Sequence, residues 1–142
     1  FVRPISVTGI GGRTMEQAWA ERCAAYFAIS VPGFPNFFLM NGPSSPVGNF
    51  SLIDVAEQQW IYIAQLIERI AESNASGLAA SERAFTAYEE RRIAAAKQSI
   101  FGSGCTSWYL DATGVPITWP WDYDTFVDAM KQPRFDDYEM VA

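Results

Sequence analysis

Apolar residues recur at steps of three and four from Ser51 to about Ala71, the strongest periodic pattern in the chain. Such spacing places the apolar side chains along one face of an α-helix and leaves polar side chains on the opposite face. The sequence therefore predicts a long amphipathic helix. The apolar residues of this helix are Leu52, Val55, Ala56, Trp60, Ile63, Ile67 and Ile70.

A second amphipathic stretch, "ASERAFTAYEERRIAAAKQSIF", follows the polar break "ESNASG". Ser81 is in the position of a helix N-cap, so a second helix is predicted to begin directly after it. We expect the core side of this helix to carry Phe85, Tyr88, Ala95 and Ala96. The charged run Glu89, Glu90, Arg91 and Arg92 is expected to form a solvated face.

The pattern of residues in the N-terminal part of the sequence predicts shorter elements. A short extended segment should turn at Gly11-Gly12, and Thr14 has Gln17 three residues later, the spacing of a capping box for a short helix. Further on, the run "FFLM" at residues 37–40 is too short for a helix and apolar throughout. This run is expected to be a buried central strand.

The stretch "CTSWYLDATGVPITWPWDYDTF" shows little periodicity and is rich in aromatic residues. We expect a long loop fixed by Trp119 and Trp121, although aromatic rings with polar tips would also suit ligand contact. Its carboxylates Asp111, Asp122 and Asp124 are expected to be solvated. One or two helical turns through "YDTFVDAMKQ" and a polar tail should follow.

These elements predict a mixed α/β, helix-dominated fold that forms one region over residues 1–142. The chain shows no internal repeat, low-complexity tract or interdomain linker. With 49% hydrophobic and 15% aromatic residues, it can bury a sizeable core.

Composition excludes several classes of function. A formal net charge of −6, with no basic run beyond Arg91-Arg92, argues against a nucleic-acid partner. The chain has no histidine, which excludes Ser-His-Asp and Cys-His catalysis, and Cys23 and Cys105 do not form a metal-ligating cluster. No metal site is expected. The absence of a long apolar run and of a disulfide framework predicts a soluble chain without a membrane span, in the cytoplasm.

The segment "NGPSSPVGN" places two glycines and two prolines directly before the long helix. Glycine and proline are common where a chain turns into a helix, so the segment is interpretable as a purely structural turn. Alternatively, a loop with few side chains lets a flat ligand approach the backbone at the positive end of the helix dipole. The spacing alone matches neither a dinucleotide-binding nor a Walker loop.

Two stretches in this order carry a family resemblance. "AYFAISVPGFPNFFLMNGPSSPVGN", followed by a long helix, resembles the Baeyer-Villiger and related flavin-containing monooxygenases, and "SGCTSWYLDATG" resembles the SWY-type segment further along in that family. The likeness extends from the start of the chain to about Phe126. Asn49 departs from the family pattern, because several members have histidine there, and "WPWDYDTF" has no close counterpart.

The resemblance implies the C-terminal part of a two-dinucleotide-binding-domain flavoprotein, namely a portion of the FAD domain and a cofactor-covering loop. Counterparts of the upstream FAD and NADP fingerprints are not found in this sequence, which begins at Phe1. We therefore expect either a fragment or a natural truncation. FAD and NADP(H) are the implied cofactors, and binding by this chain alone is not expected.

Site residues are also implied by the resemblance. The loop from Pro43 to Phe50 would lie beside the flavin ring, and Trp108 would lie on a mobile loop that covers the nicotinamide cofactor. The implied cofactor-binding residues are Pro43, Gly48, Asn49, Phe50 and Trp108. The implied substrate pocket consists of Val47, Phe50 and Trp108. No catalytic residue is assigned.

The implied activity is oxygenation of a ketone-like organic substrate through a flavin peroxide, in which this region acts together with the remainder of the monooxygenase chain. An alternative stays open: a truncated, cofactor-free relative that acts as an oligomeric cyclase or isomerase, or as a binding module, for a small hydrophobic substrate. Loss of partner domains would expose apolar helix faces, so such a protein should self-associate.

Overall fold

The computed structural model describes residues 5–46, 50–99 and 109–142. Within these ranges the fold is mixed α/β and dominated by helices, as predicted. No helix there is both long and apolar enough to cross a membrane. The helices are α1 (Met15–Ala18), α2 (Leu52–Ala71), α3 (Glu82–Gln98) and α4 (Tyr123–Lys131), and the strands are β1 (Gly77–Ala80) and β2 (Tyr138–Val141). Short 3₁₀ helices span Ile10–Gly12 and Phe135–Asp137.

The long helix predicted from the apolar period is confirmed as α2. The side chain of Ser51 accepts a hydrogen bond from the backbone N–H of Asp54 and so caps the first turn. The buried face differs in part from the predicted apolar set. Its buried residues are Val55, Gln59, Tyr62, Ile63 and Leu66. Large apolar side chains remain exposed at Met40 before the helix and along α2 at Leu52, Ile53, Trp60, Ile61 and Ile67.

Helix α3 is also confirmed, with Ser81 as its N-cap accepting from the N–H of Ala84. Tyr88 and Ala96 are buried as expected, whereas Phe85 and Ala95 are only partly buried. The expectation of a solvated charged run is wrong for two of its four residues. Glu89 and Arg92 are buried, and only Glu90 and Arg91 are exposed.

The capping box predicted for α1 is confirmed. The Thr14 hydroxyl accepts from the backbone N–H of Gln17, and the Gln17 side chain accepts from the N–H of Thr14. The predicted turn before it is also present, because Gly11 and Gly12 both have positive φ.

The residues at 37–40 do not form the central strand that was expected. Phe38 makes one isolated bridge to Ser30, and Met40 is 48% exposed. The run is bounded by turns at Asn36 and Asn41, both at positive φ, which leaves too few extended residues for a ladder.

The two-stranded sheet was not predicted. Strand β1 pairs antiparallel with β2, so that Gly77 lies opposite Val141 and Ala80 opposite Tyr138. The expectation of a polar C-terminal tail is therefore wrong for β2. Its Tyr138 is buried, and the hydroxyl donates to the hydroxyl of Tyr62 at 3.0 Å.

An aromatic cluster joins α2, α3 and α4. Trp119 packs edge-on against Phe126 with ring centroids 5.3 Å apart and against Trp121 at 4.7 Å. Its indole N–H donates to the backbone oxygen of Asp122. The interpretation of Trp119 and Trp121 as residues that fix the loop agrees with this packing. Asp122, expected to be only solvated, also caps α4 by accepting from the N–H of Thr125 at 2.7 Å.

Arg92 fixes residues 109–118 to α3. Its guanidinium is fully buried, donates to both carboxylate oxygens of Glu89 at 2.6 and 2.9 Å, and donates to the backbone oxygen of Pro116 at 2.9 Å. Buried charges of this kind are tolerated when each is paired and hydrogen-bonded. The pair therefore connects a helix to an otherwise irregular segment.

Arg22 holds the other side of the same segment. Its Nε lies 2.8 Å from Asp111 Oδ2, and its Nη2 donates to the Thr113 hydroxyl at 3.0 Å. Asp111 Oδ1 accepts from the N–H groups of Thr113 and Val115, which forms a tight turn. The expectation that Asp111 is a solvated carboxylate is therefore wrong, because it is largely enclosed by the groups that bind it.

These contacts perturb the carboxyl group of Asp111. Burial disfavours its charged form, but the hydrogen bonds from Thr113 and Val115 and the guanidinium of Arg22 outweigh burial and lower its pKa. The interaction therefore stabilises the fold only while Asp111 is ionised.

We predict that Arg92→Met destabilises the protein by about 3–5 kcal/mol, because the carboxylate of Glu89 stays buried without a partner. Adding Glu89→Leu should restore part of this loss. The control Glu90→Gln, at an exposed neighbouring position, should change the free energy of unfolding by less than about 0.5 kcal/mol. Urea unfolding of the four proteins measures this. Wild-type stability in Arg92→Met would contradict the role given to the pair.

We predict that Asp111→Asn, which keeps the acceptor of the turn and removes the charge, destabilises the protein by about 1 kcal/mol at neutral pH. Since the folded-state pKa is lowered, the contribution is complete above the unfolded-state pKa of about 4 and is lost as the pH falls through the lower folded value. The difference from wild type should therefore shrink below pH of about 4. Unfolding curves across pH test this, with Glu21→Gln as control. A difference that does not change with pH would rule out the ionic contribution.

Candidate functional site

The loop before α2 is buried although it is nearly bare of large side chains. Residues 42–46 are all buried, and Ser44 and Ser45 are 5% and 3% exposed. At Gly42 a Cβ atom would lie 2.1 Å from the backbone oxygen of Ala28, so only glycine permits this close approach. Ser44 has a φ of +64°. The packing thus fixes the loop in a strained conformation, a common property of functional sites.

The loop is joined to α2 by two hydrogen bonds from Asn41. Its backbone N–H donates to the buried side chain of Gln59 at 2.6 Å, and its side-chain amide donates to the backbone oxygen of Leu52 at 3.2 Å. The loop and the first two turns of the helix therefore form one rigid unit.

Three buried polar atoms of this loop have no hydrogen-bond partner among the residues that the structure describes. They are Asn41 Oδ1, Ser44 Oγ and Ser45 Oγ. Buried polar atoms usually find a partner. These atoms are therefore available to groups outside the described part of the chain.

The start of α2 holds a second polar contact. The hydroxyl of Tyr123 donates to the carboxylate of Asp54, and the ring of Tyr123 packs on Phe50 with centroids 4.6 Å apart. Burial, followed by the hydrogen bond to Asp54, raises the pKa of Tyr123 to about 12. At neutral pH, Tyr123 is consequently a neutral donor that orients the carboxylate in the first turn.

A cavity of about 490 Å³ lies between this loop, the start of α2 and residues 109–117. Its walls include Pro43, Ser44, Ser45, Leu52 and Tyr109. The Arg22–Asp111 pair borders the cavity on the side formed by the 109–117 segment. Cavities of a few hundred Å³ are of the size that binds small molecules and cofactor parts.

Cys23 also borders the cavity, and burial raises the pKa of its thiol. It is therefore a protonated, weakly nucleophilic group at neutral pH. Within residues 5–46, 50–99 and 109–142, no cluster of His, Cys, Asp or Glu side chains could hold a metal ion.

Two of the predicted site residues lie in the described part of the chain. Pro43 lines the cavity, whereas Phe50 packs on Tyr123 and is not part of the cavity wall. Val47, Gly48, Asn49 and Trp108 lie outside the described residues.

Sequence reasoning missed Arg22 and Asp111 at the cavity. The pattern Asp111-Ala112-Thr113-Gly114 is typical of a side-chain-capped turn and could have identified Asp111 as a structured residue. Nothing in the sequence pairs it with an arginine 89 positions earlier.

No protein-family model matches the chain. It is 40% identical over 120 residues to an uncharacterized monooxygenase of Mycobacterium tuberculosis (strain ATCC 25618 / H37Rv), covering 84% of this chain and 24% of that protein. It is 32% identical over 113 residues to an FAD-binding monooxygenase of Aspergillus terreus, covering 80% of this chain and 20% of that protein. It is 30% identical over 138 residues to a Baeyer-Villiger monooxygenase of Streptomyces coelicolor, covering 95% of this chain and 27% of that protein.

Solved structures show the same fold. An oxidized steroid monooxygenase bound to NADP superposes with a TM-score of 0.83 at 23% identity, covering 96% of this chain and 26% of that one. A complex of OTEMO with FAD and NADP superposes with a TM-score of 0.81 at 17% identity, covering 96% and 26%.

The chain spans about a quarter of the length of the curated relatives that it matches. The mixed, helix-dominated fold predicted from the sequence matches the C-terminal part of the monooxygenase structures. The recognition made from the two sequence stretches is thereby confirmed: this chain is homologous to a region of the FAD-binding and Baeyer-Villiger monooxygenases.

Proposed function

We propose that this chain contributes the C-terminal portion of the FAD domain and a cofactor-covering segment to a flavin-dependent, NADPH-using monooxygenase that oxygenates a ketone-like organic substrate. The observation that carries the proposal is the cavity of about 490 Å³ at the strained loop preceding α2. The named relatives give this cavity its chemical context, because they include FAD-binding and Baeyer-Villiger monooxygenases.

The loop suits the isoalloxazine edge of FAD. Pro43 lines the cavity, and the hydroxyls of Ser44 and Ser45 are buried without a partner in the described residues. A helix N-terminus favours negative charge, and α2 begins directly after this loop. From the resemblance we assign the FAD contacts to Pro43, Gly48, Asn49 and Phe50.

FAD, when bound, supplies the activation of oxygen, and NADPH supplies the reducing hydride. The residues of this chain would orient the flavin, shape the pocket and keep water out. By the same resemblance, Val47, Phe50 and Trp108 would form the substrate pocket, and Trp108 would also contact the nicotinamide cofactor. In that arrangement the contact between the rings of Phe50 and Tyr123 would give the substrate pocket an aromatic wall.

The remainder of the monooxygenase polypeptide is the proposed partner. One side of α2 exposes large apolar groups, including Ile53 at 74% and Trp60 at 53%. A cavity of about 610 Å³, bordered by Met40, Ile53 and Trp60, lies along this side. Contiguous exposed apolar surface of this kind marks an interaction surface. The relatives, about four times as long, have the additional chain that could cover it.

The proposal predicts that the polypeptide containing this chain together with the remaining monooxygenase region purifies with bound FAD and consumes NADPH and oxygen. With a cyclic ketone, it should form the corresponding lactone. The 142-residue chain alone should be colourless. Absorbance near the flavin bands, NADPH oxidation and product mass spectrometry measure this. A colourless, oligomeric full polypeptide that converts or binds a hydrophobic substrate without flavin would instead support the cofactor-free alternative.

Trp108→Ala in the complete enzyme should raise the KM for NADPH about tenfold, the loss expected for one aromatic contact. It should also lower the fraction of NADPH that yields oxygenated product, because water would enter the site more readily. Trp108→Phe, which keeps an aromatic ring, serves as the matched variant and should retain most of the coupling. Unchanged KM and unchanged coupling in Trp108→Ala would remove Trp108 from the site.

A further inference from the structure

A separate cavity of about 610 Å³ opens between α3 and α4. Among the residues that the structure describes, it shares none with the lining of the cavity at the Pro43 loop. Its volume falls in the range of about 300–1,000 Å³ typical of small-molecule sites. The proposed monooxygenase function assigns no role to this cavity, which we call the α3–α4 cavity.

The floor of the α3–α4 cavity is aromatic. It consists of Phe27, Tyr62, Tyr88, Trp119 and Trp121, of which Tyr62, Tyr88 and Trp119 are almost completely buried. The rings pack on one another. The ring centroids of Phe27 and Tyr88 lie 4.9 Å apart, and those of Trp119 and Trp121 lie 4.7 Å apart. The floor is therefore held in place before any ligand arrives, which limits the entropy lost on binding.

The rim of the α3–α4 cavity is polar and carries two guanidinium groups. Arg91 is exposed on α3 and forms no ion pair with any residue that the structure describes. Arg134, after α4, lies 3.3 Å from Asp137 through its Nε and keeps further N–H donors.

The acidic group on the same rim is already neutralised. The carboxylate of Asp128 accepts from the ammonium group of Lys131 at 2.6 Å. With Asp128 paired to Lys131 and Arg134 paired to Asp137, the unpaired charge on the rim, among the residues that the structure describes, is the guanidinium of Arg91. Guanidinium groups bind carboxylates through paired, charge-assisted hydrogen bonds.

We propose that the α3–α4 cavity binds a small aromatic carboxylate. The ring of the ligand packs on Phe27 and Trp121, and its carboxylate lies between Arg91 and Arg134. The site holds one ligand per chain.

The test uses the complete, FAD-loaded polypeptide saturated with NADP, so that both proposed cofactor sites are filled. Calorimetric titration with 1-naphthoate should show one binding site. Titration with the neutral 1-naphthalenemethanol should show affinity at least about tenfold weaker, the difference expected for a charge-assisted hydrogen bond.

Two sets of variants locate the site. Arg91→Gln with Arg134→Gln should weaken naphthoate binding about tenfold or more and leave the neutral probe unaffected. The control Lys97→Gln, an exposed cation on the same helix that does not line the cavity, should bind naphthoate as wild type does. Ala129→Phe places a ring in the cavity wall and should abolish binding of both probes while flavin absorbance is retained.

If Ala129→Phe or the double variant fails to fold, Ala94→Phe at the exposed rim and Arg91→Gln alone provide the same comparisons. Absence of naphthoate binding in the wild type would overturn the proposal. That result is expected if other parts of the polypeptide fill the cavity. Binding that none of these substitutions weakens would also overturn it, because the ligand would then lie elsewhere. Loss of flavin absorbance in the wild type would count against the proposed monooxygenase and not against this site.

Discussion

The pairing of β1 with β2 is the constraint on which the remaining contacts depend. It places Leu78 beside Asn36, whose backbone N–H donates to the Leu78 carbonyl at 3.0 Å, and it places Ala80 against the hydroxyl of Ser30. On the other strand, Asp137 immediately precedes β2 and accepts from the hydroxyl of Tyr26 at 2.6 Å. Three segments that are distant in the sequence, residues 26–36, β1 and 137–141, thus meet at one small sheet. Because strand β1 is buried along its whole length, each of its backbone groups needs a partner. Strand β2 supplies the partners on one edge, and Asn36 and Ser30 supply those of Leu78 and Ala80.

The sequence predicted the parts of the fold that depend on local spacing. The caps at Thr14 and Ser81 and the helices α1, α2 and α3 follow from residues within one or two turns, so they were found correctly. The sheet was missed because β1 and β2 are four residues each and far apart in the chain. The prediction of a strand at residues 37–40 was wrong for a different reason. An apolar run fits the pattern of a buried strand but does not show that a partner strand exists.

For the site, the sequence located the loop but not the groups that surround it. Pro43 was found through the family resemblance and lies in the wall of the cavity, while the ion pair between Arg22 and Asp111 on its other side was missed. The burial of Glu89 and Arg92 was missed because it also depends on a segment that is distant in the sequence. Charged residues on a helix are usually solvated. A buried position for Arg92 becomes favourable when the carbonyl of Pro116, from a distant segment, accepts one of its hydrogen bonds.

The pairing of β1 with β2 also sets an order of events during synthesis. Strand β1, α3 and α4 all leave the ribosome before the residues of β2, so the backbone groups of β1 that face β2 stay unpaired while both following helices can already form. Until then, the aromatic cluster lacks Tyr138 and the edge of β1 is open to other chains. The edge of β1 should therefore be vulnerable to misassembly from the time that it leaves the ribosome until β2 has been made.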